Sequence, residues 1–317
     1  MAKISVVIPI YGVEKYIERC AVSLFEQTLD DIEYLFINDC TKDRSIEILK
    51  EVLVRYPKRR HQVNLIDMPI NSGQAATRNR GIELATGEYV IHCDSDDWLD
   101  VNAYEKLYIC AKHNNSDIVF CDFYRSDGKN YSLIHRSIDT SSKMNVIKDV
   151  SRNVGWSLCG ALVKRDIIFE NNIIYPTQNN GEDFALMSQF IYYAQSYHKI
   201  DEPLYYYYRN PESITNEPTE DGFLKRYLQL KQNTDLVISF YNRVQYSIKY
   251  KDLITCYKLY CRTKLSPLTG KKEYFKLWES TYPELNSYNI LTNPILSSKT
   301  KLNYLAVKLR IYHLLHK

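Results

Sequence analysis

No apolar stretch in the chain approaches the roughly 20 residues that cross a bilayer as a helix, so the sequence predicts no membrane span. The eight cysteines, at 20, 40, 93, 110, 121, 159, 256 and 261, form no CxxC pair and several lie in apolar segments. That pattern excludes a disulfide framework and predicts reduced, mostly buried thiols in a cytoplasmic protein. No GxGxxG follows a strand, which removes the fingerprint of a dinucleotide-dependent oxidoreductase. A Gly-rich, basic loop after the first strand would suit a sugar-phosphate nucleotidyltransferase, but Tyr11-Gly12-Val13-Glu14-Lys15 stands there. Net charge is small: 41 Lys plus Arg against 38 Asp plus Glu gives +3, which selects no polyanionic partner and argues against nucleic acid. Repeats and low-complexity tracts are absent, and Met1-Ala2-Lys3 leads straight into a strand with no signal-peptide pattern.

What remains is an ordinary globular composition, 45% hydrophobic and 25% charged, over 317 residues, enough for one large domain or two. Up to residue 123, strands alternate with helices. Continuous apolar or β-branched runs predict strands at 4–10, 33–38, 63–68, 89–93 and 118–123, of the kind covered on both faces. Between them Val13, Ile17, Cys20, Ala21 and Leu24 recur at helical spacing, as do Ile46, Leu49, Val52 and Leu53, and then Tyr104, Leu107, Tyr108 and Ala111. Residues 74–85 form a further helix before the Thr86-Gly87 turn. The alternation predicts right-handed βαβ units and a mostly parallel sheet.

Ligands of such sheets sit beyond the carboxyl ends of the strands. The first strand ends in Pro9-Ile10-Tyr11-Gly12, the second in Asn38-Asp39, and the fourth in Asp94-Ser95-Asp96-Asp97. An aromatic ring, a carboxylate and an acidic cluster therefore share one rim. Three carboxylates within four positions repel one another unless a cation sits among them, and oxygen-rich sites suit Mg2+ or Mn2+. A solvated acidic turn opening the next helix is the competing explanation.

Residues 124–150 read as irregular and polar, with a turn at 126–130. The run 156–165 reads as an apolar strand, and Gly181-Glu182-Asp183 opens a strong helix over 184–194, where acids also complement the helix dipole. Tyr205-Tyr206-Tyr207-Tyr208-Arg209 is β-prone. From about residue 216 the alternation stops, and 221–241, 251–264 and 271–282 read as helices. Segment 299–317 holds five Lys or Arg and no acid among Leu302, Leu305, Leu309, Ile311, Leu314 and Leu315. A basic apolar helix of this kind can lie on anionic lipid or pack on the body of the protein. The 28 tyrosines suit wet, stacked surfaces as well as helix packing.

With these positions laid out, the first 215 residues resemble the family 2 glycosyltransferases, enzymes of the GT-A fold. The opening strand Ser5-Val6-Val7-Ile8-Pro9-Ile10-Tyr11 is similar to the family's nucleotide-contacting strand, and Phe36-Ile37-Asn38-Asp39-Cys40-Thr41-Lys42-Asp43 to its second-strand motif. Asn71-Ser72-Gly73-Gln74, with Arg78-Asn79 and Gly81, resembles the segment near the donor diphosphate. Asp94-Ser95-Asp96-Asp97-Trp98 resembles the DXD metal motif, and Gly181-Glu182-Asp183 the ED catalytic motif. The chain departs from the family at Gly12, where Asn is usual, at Cys40 for Gly and at Thr77 for Ala.

The resemblance implies a GT-A domain at 1–215 and a helical extension at 216–317. It implies an inverting hexosyl- or N-acetylhexosaminyl-transferase that uses a UDP-sugar and a saccharide or lipid-linked acceptor in capsule, lipopolysaccharide or exopolysaccharide synthesis. On that expectation Asp183 is the base and Glu182 supports it. Asp96, with Asp97, holds Mn2+ or Mg2+, while Asp94 and Ser95 lie at the donor's ribose or sugar. Pro9, Tyr11 and Asp39 bind uracil, Arg78 meets phosphate or sugar oxygens, and Arg209 is a second diphosphate contact. The extra acid leaves two registers of the DXD motif open. The expected location is the cytoplasm, with peripheral contact to the inner face of the membrane through 299–317. A phosphatase with an Asp nucleophile would place its acidic run after the first strand, not the fourth, and a non-catalytic sugar-binding or scaffold protein is the alternative from another class.

Overall fold

A computed structural model describes residues 2–151, 156–210, 219–244, 250–287 and 290–312. Strand β1 (Ile4–Ile10) is paired in parallel with β2 (Ile32–Asn38) on one side and β4 (Tyr89–His92) on the other, and β2 with β3 (Val63–Asp67). The short strand β5 (Trp98–Leu99) follows the acidic cluster, and β6 (Ile118–Ser126), β7 (Tyr131–Ile134), β8 (Ala161–Lys164) and β9 (Tyr197–Tyr208) complete one sheet. Its order is β3-β2-β1-β4-β8-β6-β9-β5, with β7 paired to β6.

The alternation of β1 explains its two coats of helix. Val6, Ile8 and Ile10 face helices α1 (Ile17–Phe25), α2 (Ser45–Arg55) and α4 (Ala103–Asn114), burying Cys20, Leu24, Leu49, Val52, Tyr104 and Leu107. Val7 faces the other way, toward α3 (Gly73–Leu84) and α7 (Glu182–Tyr193). Helices α8 (Glu220–Arg243) and α9 (Lys251–Thr263) join that second cluster through Tyr227, Leu230, Val237, Phe240 and Leu253. So do α10 (Lys272–Ser280) and α11 (Ser298–Lys308), through Trp278 and Tyr304. The C-terminal helices and the sheet thus share one apolar core.

Strands β1, β2, β3, β4 and β6 lie where the hydrophobic pattern places them, within a residue or so for the first four and with β6 running three residues longer. The two-residue β5 was not foreseen, and the larger corrections fall beyond residue 123. The stretch read as irregular holds β7, a hairpin partner of β6, and helix α5 (Lys143–Asp149). The hairpin turn is closed by Asp127, whose Oδ1 accepts the amides of Lys129 and Asn130 at 2.9 and 2.7 Å. Of the run 156–165 only Ala161–Lys164 is strand, and it runs antiparallel to both β4 and β6. Lys164 is followed at once by the short helix α6 (Arg165–Phe169). The tyrosine run is the end of the twelve-residue β9, parallel to β6 and antiparallel to β5. Residues 216–218, 211–213 and 313–317, part of the segments read from the sequence, lie outside the described residues.

Candidate active site

Four loops converge at the carboxyl ends of β1, β2 and β4. The loop after β1 is tied to the loop after β2: Gly12 N donates to Thr41 Oγ1 at 2.9 Å, Val13 N to Ser45 Oγ at 3.1 Å and Glu14 N to Asp43 Oδ2 at 2.9 Å. Asp43 keeps its charge below the usual range: burial works against this, but bonds from the Ser45 and Thr41 hydroxyls outweigh it. Gly12 and Cys40 both hold positive φ, +68° and +56°. Two of the departures from the family pattern therefore fall at left-handed positions. Cys40, a residue that costs about 1 kcal/mol there, is held by its thiol donating to the Met68 carbonyl at 3.0 Å.

Of the residues expected at the nucleotide, Pro9 sits inside β1 opposite Ile37, and Tyr11 stands 51% exposed at the strand's tip. Asp39 is buried. Its two oxygens accept the amides of Ser72 and Gly73 at 2.7 and 2.8 Å, so it anchors the start of α3 and satisfies donors that the helix leaves orphaned.

Arg78, on α3, is the hub. Its side chain is 1% exposed, and its guanidinium reaches Asp94 Oδ1 at 2.6 Å, Glu182 Oε1 at 2.7 Å and Asp183 Oδ1. Burial alone would lower its pKa, but Asp183, Asp94 and Glu182 outweigh burial and hold it well above the ordinary value. Arg78 was expected to meet phosphate or sugar oxygens; here Nη1 and Nη2 contact the three carboxylates, and Nε is buried without a partner. Asp94 and Asp183 are each 26% exposed and Glu182 only 8%, so the first two face the cleft and the third lies behind them. Burial and the neighbouring Asp183 push Glu182 up to about 8. Burial also raises Asp183, with Arg78 opposing and Asp94 adding to the shift.

The helix that carries both acids starts at Gly181, whose φ of +85° only glycine adopts freely. A Cβ there would also come within 2.6 Å of Leu230 on α8. Asp183 is held from a second side by the Leu158 amide, which lowers its pKa. The turn bearing Leu158 is fixed in turn by buried Arg136, donating to the carbonyls of Ser157 at 3.2 Å and Gly160 at 3.3 Å.

The acidic cluster divides. Asp96 accepts from Asn210 Nδ2 at 3.1 Å, and burial plus the charge on Asp94 raise its pKa to about 6. Asp97 turns inward: Oδ2 accepts from the Tyr205 hydroxyl at 2.5 Å and Oδ1 from the Tyr208 amide at 2.6 Å. With both oxygens engaged and the side chain buried, Asp97 offers nothing to an ion in the cleft, contrary to its expected place beside Asp96. It is a strut between the strand tip and β9. Ser95 is buried. Arg209 is exposed, linked to the body by its amide on Ser126 O at 2.7 Å, and no bond joins it to the carboxylates among the described residues.

A metal bound here would find Asp94 and Asp96 as its carboxylates. Among the described residues no group of three His, Cys, Asp or Glu could hold an ion by itself. Two hard oxygen donors fit Mn2+ or Mg2+ when a diphosphate and water complete the shell, which is how Mg2+ is usually held.

Tyr205, Arg19 and Arg136 escaped the sequence reading. Arg19 donates to the Asp96 carbonyl at 2.9 Å and stacks 3.7 Å from the Trp98 ring and 4.9 Å from that of Tyr208. Only the tyrosine run hinted at this brace, because its pairing across the sheet is a long-range fact.

Residues 5–170 match the family described as Glycosyl transferase family 2. The chain is 29% identical over 276 residues to the uncharacterized glycosyltransferase EpsJ of Bacillus subtilis, covering 84% of this chain and 76% of that one. Among solved structures it is similar to S. aureus TarS, with a TM-score of 0.71 at 18% identity, over 98% of this chain but about half (54%) of that one. Residues 1–349 of TarS in complex with UDP-GlcNAc give 0.62 at 16% identity, covering 98% and 88%. The mannosyltransferase PcManGT of Pyrobaculum calidifontis, solved with GDP-Man and Mn2+, gives 0.55 at 14%, covering 98% and 86%. At these identities the structural likenesses establish the fold.

Replacing Arg78 leaves three carboxylates facing one another without their cation. Arg78→Gln should lower unfolding free energy by about 3–5 kcal/mol, measured by urea denaturation at neutral pH. A loss under about 1 kcal/mol, the range of an exposed pair, would show that the cluster is not held through this guanidinium.

Proposed function

This chain belongs to the family 2 glycosyltransferases, and from that membership we propose that it moves a hexosyl or N-acetylhexosaminyl unit from a UDP-sugar to a hydroxyl of a saccharide or lipid-linked acceptor, with inversion, in the assembly of a cell-surface polysaccharide. One observation carries the reading: Asp94 at a strand tip and Asp183 at a helix start meet on a single buried guanidinium, both facing the cleft. A displacement at an anomeric carbon needs a carboxylate for the acceptor's proton within reach of the group that aligns the donor.

In this mechanism Asp183 takes the proton of the acceptor hydroxyl as its oxygen bonds to the anomeric carbon. The bond from that carbon to the diphosphate oxygen breaks on the opposite face, and its electron pair leaves with UDP. Asp94 orients ribose or donor sugar. Arg78 holds Asp94 and Asp183 at a fixed separation, and Glu182 adds a third arm to the same clamp. Tyr11 stacks on the uracil, and Asp39, Pro9 and Ser95 shape the nucleotide end, with Arg209 reaching the diphosphate. A divalent cation on Asp94 and Asp96, when bound, would offset negative charge growing on the leaving diphosphate. The UDP-GlcNAc complex of TarS supports a UDP donor, and the Mn2+ in PcManGT supports a metal. EpsJ and other similar glycosyltransferases, among them a poly(ribitol-phosphate) beta-glucosyltransferase, support a polymeric acceptor.

We further propose peripheral membrane contact through the last helix. Leu302 and Leu309, seven residues apart and so on one face, are 60% and 66% exposed beside Lys299, Lys301 and Lys308. Among the described residues no helix is long and apolar enough to cross a membrane.

Four expected outcomes follow from these assignments. Asp183→Asn should cut kcat by about 100-fold or more while donor affinity, measured calorimetrically, stays within about twofold. Because burial raises the Asp183 pKa, its proton-accepting form is lost as pH falls through a value above the ordinary carboxylate range. The acid limb of kcat should therefore lie higher than for a solvated aspartate, and turnover retained in the variant would dismiss Asp183 as base. Asp96→Ala should weaken Mn2+-dependent UDP binding without changing metal-free binding, and an unaltered Mn2+ titration would refute its part in holding the ion. Leu302→Ser with Leu309→Ser should lower co-sedimentation with vesicles of phosphatidylglycerol and phosphatidylcholine, whereas equal sedimentation would detach this helix from the membrane.

A further inference from the structure

Beside the loop that opens α7 lies a cavity of about 250 Å³ lined by Asn180, Phe223, Arg226, Thr263, Lys264 and Pro267. It belongs to no part of the donor site. Its walls come from the loop before Glu182, from the first turns of α8 and from the end of α9. The C-terminal helices, which carried no readable motif, supply both of its charges.

Those charges are unbalanced. Among the described residues neither Arg226 nor Lys264 has a carboxylate partner, and Arg226 Nη1 is buried without any acceptor. Each cation is nevertheless held in place. The Arg226 guanidinium lies 4.7 Å from the centroid of Phe223, and Lys264 Nζ lies 5.0 Å from that of Tyr260. Aromatic faces orient a cation without consuming its N–H donors.

The cavity is also coupled mechanically to the catalytic loop. Asn180 Nδ2 donates to the Arg226 carbonyl at 2.7 Å, and Asn233 Nδ2 on α8 donates to the carbonyls of Asn180 and Gln178, both at 2.9 Å. Tyr260, which backs Lys264, lies 6.4 Å from Phe184, the residue after Asp183. A group seated here is therefore held against the same rigid segment that positions Asp183.

We propose that this cavity is an oxyanion subsite that takes a phosphoryl group of the acceptor and so sets how its hydroxyl approaches Asp183. The proposal rests on the glycosyltransferase reading above. A guanidinium fork and a compact ammonium in one cavity match a tetrahedral oxyanion, because the fork binds two oxygens and the ammonium a third as a point charge. A carboxylate would use the fork alone. The volume admits one phosphoryl group with the first atoms attached to it. That group is either a diphosphate joining the acceptor to a lipid or a phosphate within the acceptor's own chain, and the chemistry at the protein is the same.

The test uses the full chain with UDP at saturation, so that the donor's diphosphate site is filled. Binding of geranyl diphosphate and of glycerol 3-phosphate is measured by calorimetry in the unaltered protein, in Arg226→Gln, in Lys264→Gln and in the double variant. At least one probe should bind, each single change should weaken it about tenfold, and the pair should weaken it about a hundredfold, since loss of a charge-assisted bond is worth roughly a decade of affinity. Preference for geranyl diphosphate would assign the phosphoryl group to a lipid carrier, and preference for glycerol 3-phosphate to the acceptor chain. Failure of both probes to bind, or equal binding by the double variant, would overturn the subsite. UDP affinity and Asp183-dependent turnover, if intact in that case, would leave the glycosyltransferase reading standing. Lys264 is part-exposed at a helix end, so Lys264→Gln keeps the test readable even if Arg226→Gln unfolds.

Discussion

The buried contact of Arg78 with Asp94, Glu182 and Asp183 is the constraint on which the rest of the site depends. Three elements that are distant in sequence, α3, the tip of β4 and the start of α7, are tied there by one side chain. Burying a guanidinium is expensive unless its charge has a partner, and three carboxylates supply one here. Arginine suits the place because its planar fork can reach several carboxylates at once, where lysine's single point charge could not. The guanidinium fixes the separation of Asp94 and Asp183, the residues proposed to align the donor and to receive a proton.

A second layer of contacts keeps that distance from drifting. Asp97 pins the strand tip to Tyr205 and Tyr208 of β9, while Arg19 bonds to the Asp96 carbonyl and stacks on Trp98. Arg136 holds the turn whose Leu158 amide points at Asp183. Gly181 lets α8 press against the loop before Glu182 and Asp183. The helices after residue 219 accordingly support the site from behind as well as enlarging the core.

Much of this was legible in the residues. Strands β1 to β4, β6 and the helices between them follow from hydrophobic periodicity, because the pattern is local and all of these strands but the edge strand β3 are largely buried. The meeting of Asp94 and Asp183 followed from their motifs, and Arg78 was singled out, though for an outward role. What could not be read is where a side chain turns once the loop closes. Asp97 and Asp96 are neighbours in sequence, yet one points into the β9 amides and the other to Asn210. Arg136 lay in a stretch read as irregular, because the hairpin of β6 and β7 depends on cross-strand pairing that short polar segments do not advertise. The unpaired cations on α8 and α9 are likewise invisible until those helices are packed together.

The distribution of protons around the cluster follows from its charge. Arg78 brings one positive charge to three carboxylates, and Asp96 and Asp97 add two more close by. Burial and mutual repulsion raise Asp96 to about 6 and Asp97 well above the usual range, with Glu182 pushed up to about 8. The protein therefore carries more acid here than its own cations can balance. The two members that face the cleft beside Arg78, Asp94 and Asp183, receive the guanidinium directly and are the ones placed to act on a substrate. Glu182, which touches the guanidinium but is shut from solvent, and Asp97, which does not touch it, are the ones whose burial most favours a bound proton. Division of labour among five acids thus comes from access to one guanidinium and to solvent, since their chemistry as free side chains is nearly the same.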